Sequence, residues 1–330
     1  MKSAGRISFI CNIVSVKSVL PQYLDYFNCL MPWMFEKRDF DAPLKLKELL
    51  SKKEIIKMPG AHSSLVGLSA KKVGFQALYI SGAAFSASWA LPDLGYYTVD
   101  ELAGYVHQLY RATGLPILVD ADTGFGEVLA MARTVNELED AGAAAIQIED
   151  QLLPKKCGHL AGKQLVSADD MCRKIEAAVK TRKNLLIMAR TDSHAMFGIE
   201  EAIRRAKMYV DAGADMIFPE ALKEEAEFRQ FSAEVKVPLL ANMTEFGKTP
   251  YFSADQFQEW GYQIVIYPVT TLRAAMKAVE NVLQDIFNNG SQKVSVENMQ
   301  TRKELYELLD YFGYEELDKS ISESKYLDYT

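Results

Sequence analysis

Eight short apolar runs recur along this chain from residue 55 onward, each separated from the next by an amphipathic stretch. They are IIKMPG (55–60), ALYISGAA (77–84), PILVDAD (116–122), AIQIED (145–150), LLIMARTD (185–192), MIFPEA (216–221), PLLANM (238–243) and QIVIYP (263–268). Their Ile, Val and Leu follow one another without strict alternation, the pattern of parallel strands buried on both faces. The stretches at 99–112, 127–141, 168–180 and 199–212 carry helical periodicity. Glycines at 74, 114, 142, 213 and 261 sit where such helices should stop. No Pro/Gly/Ser-rich linker interrupts the series. These features predict an α/β chain, a single (β/α)8 barrel over 34–330 with a C-terminal helical region; a doubly wound sheet is the alternative.

Nearly every run ends in a polar or charged residue: Ser81, Asp120 with Asp122, Glu149 with Asp150, Arg190 with Asp192, Glu220 and Asn242. A lone carboxylate at a strand end is ordinarily a helix cap or turn former. Six of eight strands ending this way is harder to explain by capping, and in a barrel those ends share one rim, where active sites form.

Composition narrows the partners. With 49% apolar and 25% charged residues the 330-residue chain can fill a core, and a net charge of −7 without a basic run argues against nucleic acid. No window is long and apolar enough for a membrane span. Cys11, Cys29, Cys157 and Cys172 are irregularly spaced, as free thiols of a reducing, cytoplasmic compartment are. Residues 1–24 carry Lys2, Arg6 and Lys17 but no acid. The first 33 residues read as an extension, disordered or not native if Met31 or Met34 is the natural start, or else as a loosely fitting targeting segment.

Asp120 and Asp122, two apart at one strand end, should point the same way in extended chain, with Glu149 on the neighbouring strand. Three carboxylates without a His/Cys quartet suit a hard cation, Mg2+ or Mn2+, that keeps water and substrate oxygens as its other ligands. Asp150 could instead simply pair with Lys155, Lys156 or a backbone amide. In KKCGH (155–159) the thiol of Cys157 lies between cationic neighbours, which favours thiolate. That motif reads as a thiol acid/base on a substrate-gripping loop, or as a surface turn that holds a cysteine; two ligands are too few for zinc. Arg190, Asn242, Thr244, His159 and the backbone of Ser81, Gly82, Ala83 and Ala84 make an anion-binding complement. His62, His107 and His194 have no partner spacing and read as structural or surface residues.

With these residues assembled, the sequence resembles the isocitrate lyase/phosphoenolpyruvate mutase superfamily, and within it the methylisocitrate lyases. The resemblance spans about residues 33 to 320 and is carried by YISGAA, LPDLG, VDADTGFG, IEDQLLPKKCGHLAGKQL, ARTD, FPEA, LLANMTEFGKTPY and IYPVT. KKCGH is its most specific segment, marking the C–C lyase branch. The resemblance implies a barrel whose eighth helix is exchanged between subunits of a homotetramer. It implies Mg2+ held directly by Asp120, with Asp93, Asp122 and Glu149 acting at or around the metal. Ser81, Gly82, Ala83, Lys155, Gly158, His159, Arg190, Glu220, Asn242 and Thr244 fall on substrate-binding positions, and Cys157 on the catalytic acid.

The reaction so implied is retro-Claisen cleavage of a tricarboxylate, 2-methylisocitrate, to pyruvate and succinate in propionate breakdown. The group that takes the hydroxyl proton is left open. Isocitrate cleavage is the nearest alternative, although that branch typically carries barrel insertions absent here; lyases of related 2-hydroxy or 2-oxo acids stay open too. A non-catalytic barrel would be expected to have lost its acids or its thiol. Ala161 stands where relatives tend to be polar, and residues 1–30 have no counterpart.

Overall fold

The computed structural model describes residues 41–156, 158 and 162–323. The expected extension at 1–33, Met34, Cys157, His159 and Ala161 lie outside the described residues. The chain divides into two compact units. One runs Lys37–Leu309 and the other includes Asp310–Thr330, of which the helix Tyr311–Ser322 is described.

The first unit holds all eight expected strands: β1 (Ile56–Pro59), β2 (Leu78–Ile80), β3 (Ile117–Asp120), β4 (Ala145–Glu149), β5 (Leu186–Thr191), β6 (Met216–Pro219), β7 (Leu240–Asn242) and β8 (Ile264–Tyr267). Every pairing is parallel. β2 to β6 form one sheet in chain order, and β1, β8 and β7 form a second. Single parallel bridges at Gly60–Tyr79 and Ile217–Leu239 join the two, so the strands succeed one another in cyclic order. This is the barrel-type fold that the alternation of elements predicts, with two narrow seams. β3, β4, β5 and β6 are buried along their whole length, which is why their sequences read as unbroken apolar runs.

Helix signals agree closely with the sequence. Val99–Thr113 begins on a capping box, Thr98 with Glu101, and stops at left-handed Gly114. Ser167 caps Ala168–Thr181 through the Asp170 amide. The ALYISGAA run behaves differently: the strand ends at Ile80, and Ser81 accepts the Ala84 N–H at 3.3 Å to start the helix Gly82–Ser88. An N-cap serine therefore outweighs the apolar continuation and puts a helix start at the rim.

The helix after β8, Thr270–Asn289, has no buried residue. Met276, Val279, Leu283, Ile286 and Phe287, spaced for one helical face, are all exposed. No helix among the described residues is long and apolar enough to cross a membrane.

Gly60 lies at a seam, where an added Cβ would stand 2.0 Å from the carbonyl oxygen of Pro268. Backbone cannot give way as a flexible side chain does. Gly60→Ala should destabilise the fold by roughly 1–3 kcal/mol, read as a lower melting temperature in calorimetry; an unchanged melting temperature would show the approach of Gly60 to Pro268, beyond β8, to be slack.

Candidate active site

The site is built where strands end and polar residues begin. Asp120, the last residue of β3, is pinned on three sides. Its Oδ1 accepts the Asp122 N–H and the Gln147 side-chain amide, each at 3.2 Å, and its Oδ2 accepts the Gly82 N–H at 3.2 Å. Gln147 in turn accepts the Tyr79 hydroxyl at 2.9 Å, a link from β2 to β4 that passes β3 and so requires both side chains to face the barrel interior. Gly82 can come this close only because it has no side chain. A Cβ there would lie 2.6 Å from the Tyr97 hydroxyl and 3.3 Å from Asp120 Oδ2.

Asp122 differs from the sequence reading. It is not in extended chain: its φ is 47°, left-handed, because the chain turns immediately after Asp120. The turn still buries its carboxylate beside Lys155, whose Nζ lies 2.6 Å from Oδ1 and also contacts Asp93. Burial raises the Asp122 carboxyl to about 6, with Asp120 and Asp93 adding to the rise and Lys155 opposing it. Burial works against the Lys155 charge, but Asp122, Glu149, Asp120 and Asp93 outweigh it and hold the ammonium well above the ordinary lysine value.

Arg190, near the end of β5, is held by three carboxylates. Nη1 faces Glu149 at 3.3 Å, Nε faces Asp192 at 2.9 Å and Nη2 faces Glu220 at 3.3 Å, while the guanidinium lies 5.2 Å from the centre of the Phe218 ring. The fork expected to grip a substrate carboxylate is thus already engaged by protein. Burial raises the Glu149 carboxyl well above its ordinary range despite Arg190. Gly158 is pressed against the same group; a Cβ would stand 2.5 Å from Arg190 Nη2.

One cavity gathers most of the expected residues: Ser81, Ala83, Asp93, Asp120, Glu149, Lys155, Gly158, Arg190, Glu220, Asn242 and Thr244. Gly82 and Asp122 lie against its acidic corner. The expected acid, Cys157, and His159 lie outside the described residues, although Gly158 between them lines the cavity. Tyr79, Ile266, Pro268 and Val269 complete the wall and escaped the sequence reading, as did Gln147 behind it. Gln147 carried a signal, a polar residue inside the apolar run AIQIE; Ile266 and Val269 carried none.

Asp150 takes its bland alternative. It accepts the Asp192 N–H, Thr191, Tyr209 and Arg205, although not the lysines once considered. His194 pairs with Glu227 at 2.8 Å and His62 with Thr271 at 3.2 Å, both away from this cavity.

The residues present fit a hard divalent cation. At the acidic corner Asp93, Asp120, Asp122 and Glu149 stand around the ammonium of Lys155, so carboxylates outnumber cations there. Asp122 Oδ2 and Glu149 Oε1 are buried oxygens with no hydrogen bond among the described residues. No three His, Cys, Asp or Glu side chains among those residues are close enough to enclose an ion alone. A cation here would have to take most of its ligands from water and substrate.

Stability should report this load. Asp122 binds its proton more tightly folded than unfolded, so its contribution is present at low pH and lost as pH rises from the ordinary carboxylate range through about 6. In EDTA the melting temperature should therefore fall between pH 5 and pH 7.5, and Asp122→Asn should reduce the fall. Equal slopes for the two proteins would contradict the raised carboxyl.

The phosphoenolpyruvate phosphomutase family model matches residues 46–287. The 2-methylisocitrate lyase of Aeropyrum pernix is 55% identical, over 84% of this chain and 91% of its own. That of Bacillus subtilis is 52% identical, over 89% of this chain and 98% of its own. Among solved structures, oxaloacetate acetylhydrolase with 3,3-difluorooxalacetate aligns with TM-score 0.81 at 30% identity, covering 88% of this chain and all of that one (100%). 2,3-Dimethylmalate lyase, a PEP mutase/isocitrate lyase superfamily member, gives 0.80 at 32%, covering 87% and 96%. Phosphonopyruvate hydrolase in complex with oxalate and Mg2+ gives 0.76 at 28%, covering 86% and 98%. Matched along most of its length in sequence and in fold, the chain belongs to the PEP mutase/isocitrate lyase superfamily, within its 2-methylisocitrate lyase family.

Proposed function

We propose that this protein cleaves 2-methylisocitrate to pyruvate and succinate with Mg2+, or Mn2+ in its place, held from Asp120 and surrounded by Asp93, Asp122 and Glu149. The observation that carries the reading is the pairing of two features in one cavity. An acidic corner in which carboxylates outnumber cations adjoins an apolar wall of Ile266, Pro268 and Val269. The first suits a divalent cation and the anion it recruits; the second suits a substrate methyl group.

In a retro-Claisen cleavage the hydroxyl proton leaves, the oxygen pair forms the pyruvate carbonyl, and the C–C pair passes to the succinate fragment, where it is delocalised as an aci-carboxylate beside the second carboxylate until one proton adds to carbon and gives succinate. Bound Mg2+ supplies positive charge where the hydroxyl and carboxylate oxygens become more negative. The chain does the rest. Gln147 and the Gly82 N–H fix the Asp120 carboxylate, so no side chain has to reorganise. Lys155 and Lys156 bring cationic charge to the substrate, while Asn242 and Thr244 offer uncharged polar contacts on the same wall. Tyr79 stays protonated, since burial raises it well above the ordinary phenol value; with its proton given to Gln147, its oxygen is free to accept from a substrate hydroxyl. From their place in the KKCGH motif, Cys157 is proposed as the proton donor and His159 as a substrate contact.

Recognition of a methyl group by an apolar wall is worth about 1–3 kcal/mol, or roughly 10- to 200-fold. kcat/KM should therefore favour methylisocitrate over isocitrate by that order; equal values or a preference for isocitrate would overturn the substrate choice. Cys157→Ser should abolish turnover while calorimetric Mg2+ binding persists, and surviving activity would move the acid elsewhere.

A homotetramer in which the helix Thr270–Asn289 is exchanged between copies is also proposed, supported by the unburied apolar stripe on that helix. Leu283→Asp with Phe287→Asp should lower the mass measured by light scattering, and an unchanged assembly would refute the exchange. A reducing cytoplasm fits the free thiol of Cys172.

A further inference from the structure

Lysine is almost never fully buried unless it is paired, and the side chain of Lys163 is only 2% exposed. Its ammonium has two partners. Nζ donates to the carbonyl oxygen of Gly158 at 2.5 Å and to Asp192 Oδ1 at 2.6 Å. Neither partner is incidental, because Gly158 lines the cavity and Asp192 holds Arg190, which also lines it.

The Asp192 carboxylate is shared between two cations. Oδ1 accepts from Lys163 and, at 3.2 Å, from Arg190 Nη2, while Oδ2 accepts from Arg190 Nε at 2.9 Å. Its backbone N–H donates to Asp150 Oδ1 at 2.9 Å, which anchors the main chain that carries the carboxylate. Burial pushes the Asp192 carboxyl up, but Arg190 and Lys163 outweigh it and hold the group below its ordinary value, as an anion. Gly158 already stands at the closest approach to Arg190 that its missing side chain permits.

We infer that Lys163 is a positioning residue for the substrate wall: its buried ammonium ties the Gly158 backbone to Asp192, and through Asp192 sets the guanidinium of Arg190. Two faces of one cavity are thereby joined by a group that is not among the residues lining it. Lys163 donates to Gly158 and Asp192 rather than to Asp120 or Asp122, so the cation site and the substrate wall should respond separately.

The inference rests on the proposed lyase reading, and the test separates the two. Lys163→Met should lower kcat/KM for methylisocitrate at least tenfold, mainly through KM, while Mg2+ affinity by calorimetry stays within about twofold of wild type. Lys163→Arg, which keeps charge and donors, should recover part of the loss. Lys163→Met leaves Asp192 short of a partner, so the double variant Lys163→Met/Asp192→Asn serves as the control for folding. Because Lys163 acts through Asp192, the double variant should lose no more than the more damaging of Lys163→Met and Asp192→Asn alone; losses that multiply would overturn the inference. Hydrogen exchange gives a reading independent of turnover: the segment around Gly158 should exchange at least tenfold faster in Lys163→Met, with the strands unchanged. Wild-type protein inactive on methylisocitrate would sink the lyase reading alone. Unchanged KM together with unchanged exchange in Lys163→Met would sink this inference alone.

Discussion

The guanidinium of Arg190, held at once by Glu149, Asp192 and Glu220, is the interaction on which the mouth of this barrel depends. Those acids stand at the ends of, or just beyond, three consecutive parallel strands, β4, β5 and β6. Three carboxylates in a buried space repel one another, and each is costly to desolvate. A planar cation with five donors is the side chain suited to satisfying all three. The arrangement leaves Arg190 little free capacity for substrate. Lys155 is engaged likewise, by Asp93 and Asp122, so on the proposed reading the remaining positive charge for a tricarboxylate would come chiefly from Lys156 and a divalent cation.

The acidic corner illustrates the same balance from the other side. Asp120 is a fixed carboxylate with its hydrogen bonds made, whereas Asp122 and Glu149 keep buried oxygens without hydrogen bonds and carboxyls raised by burial. A site of this kind is under electrostatic load until a cation shares it. That load favours metal binding without a closed cage of protein ligands, and it leaves coordination positions for substrate oxygens.

Much of this was legible in the chain. The eight runs marked the strands to within a few residues, since burial on both faces leaves a composition that hardly admits another element. The polar residues ending the runs marked the rim, and those placed on the cavity were gathered there. Three things could not be read from sequence. The turn at Asp122 depends on a single left-handed residue, which no spacing rule reveals. The engagement of Arg190 depends on which strands are neighbours. Lys163 lies in a loop segment whose sequence gives no sign of burial, and only the bonds to Gly158 and Asp192 show it as a buried, paired cation. The exposed stripe of Thr270–Asn289, by contrast, reads in sequence as an ordinary amphipathic helix, and its lack of cover is visible only in the fold.

The most direct test of the lyase assignment is the product balance from racemic 2-methylisocitrate, followed by NMR with Mg2+ present and again in excess EDTA. Pyruvate and succinate should appear in equal amounts with the metal and vanish without it. Unequal products, a different product pair, or cleavage that persists in EDTA would contradict a metal-assisted C–C cleavage built on this acidic corner.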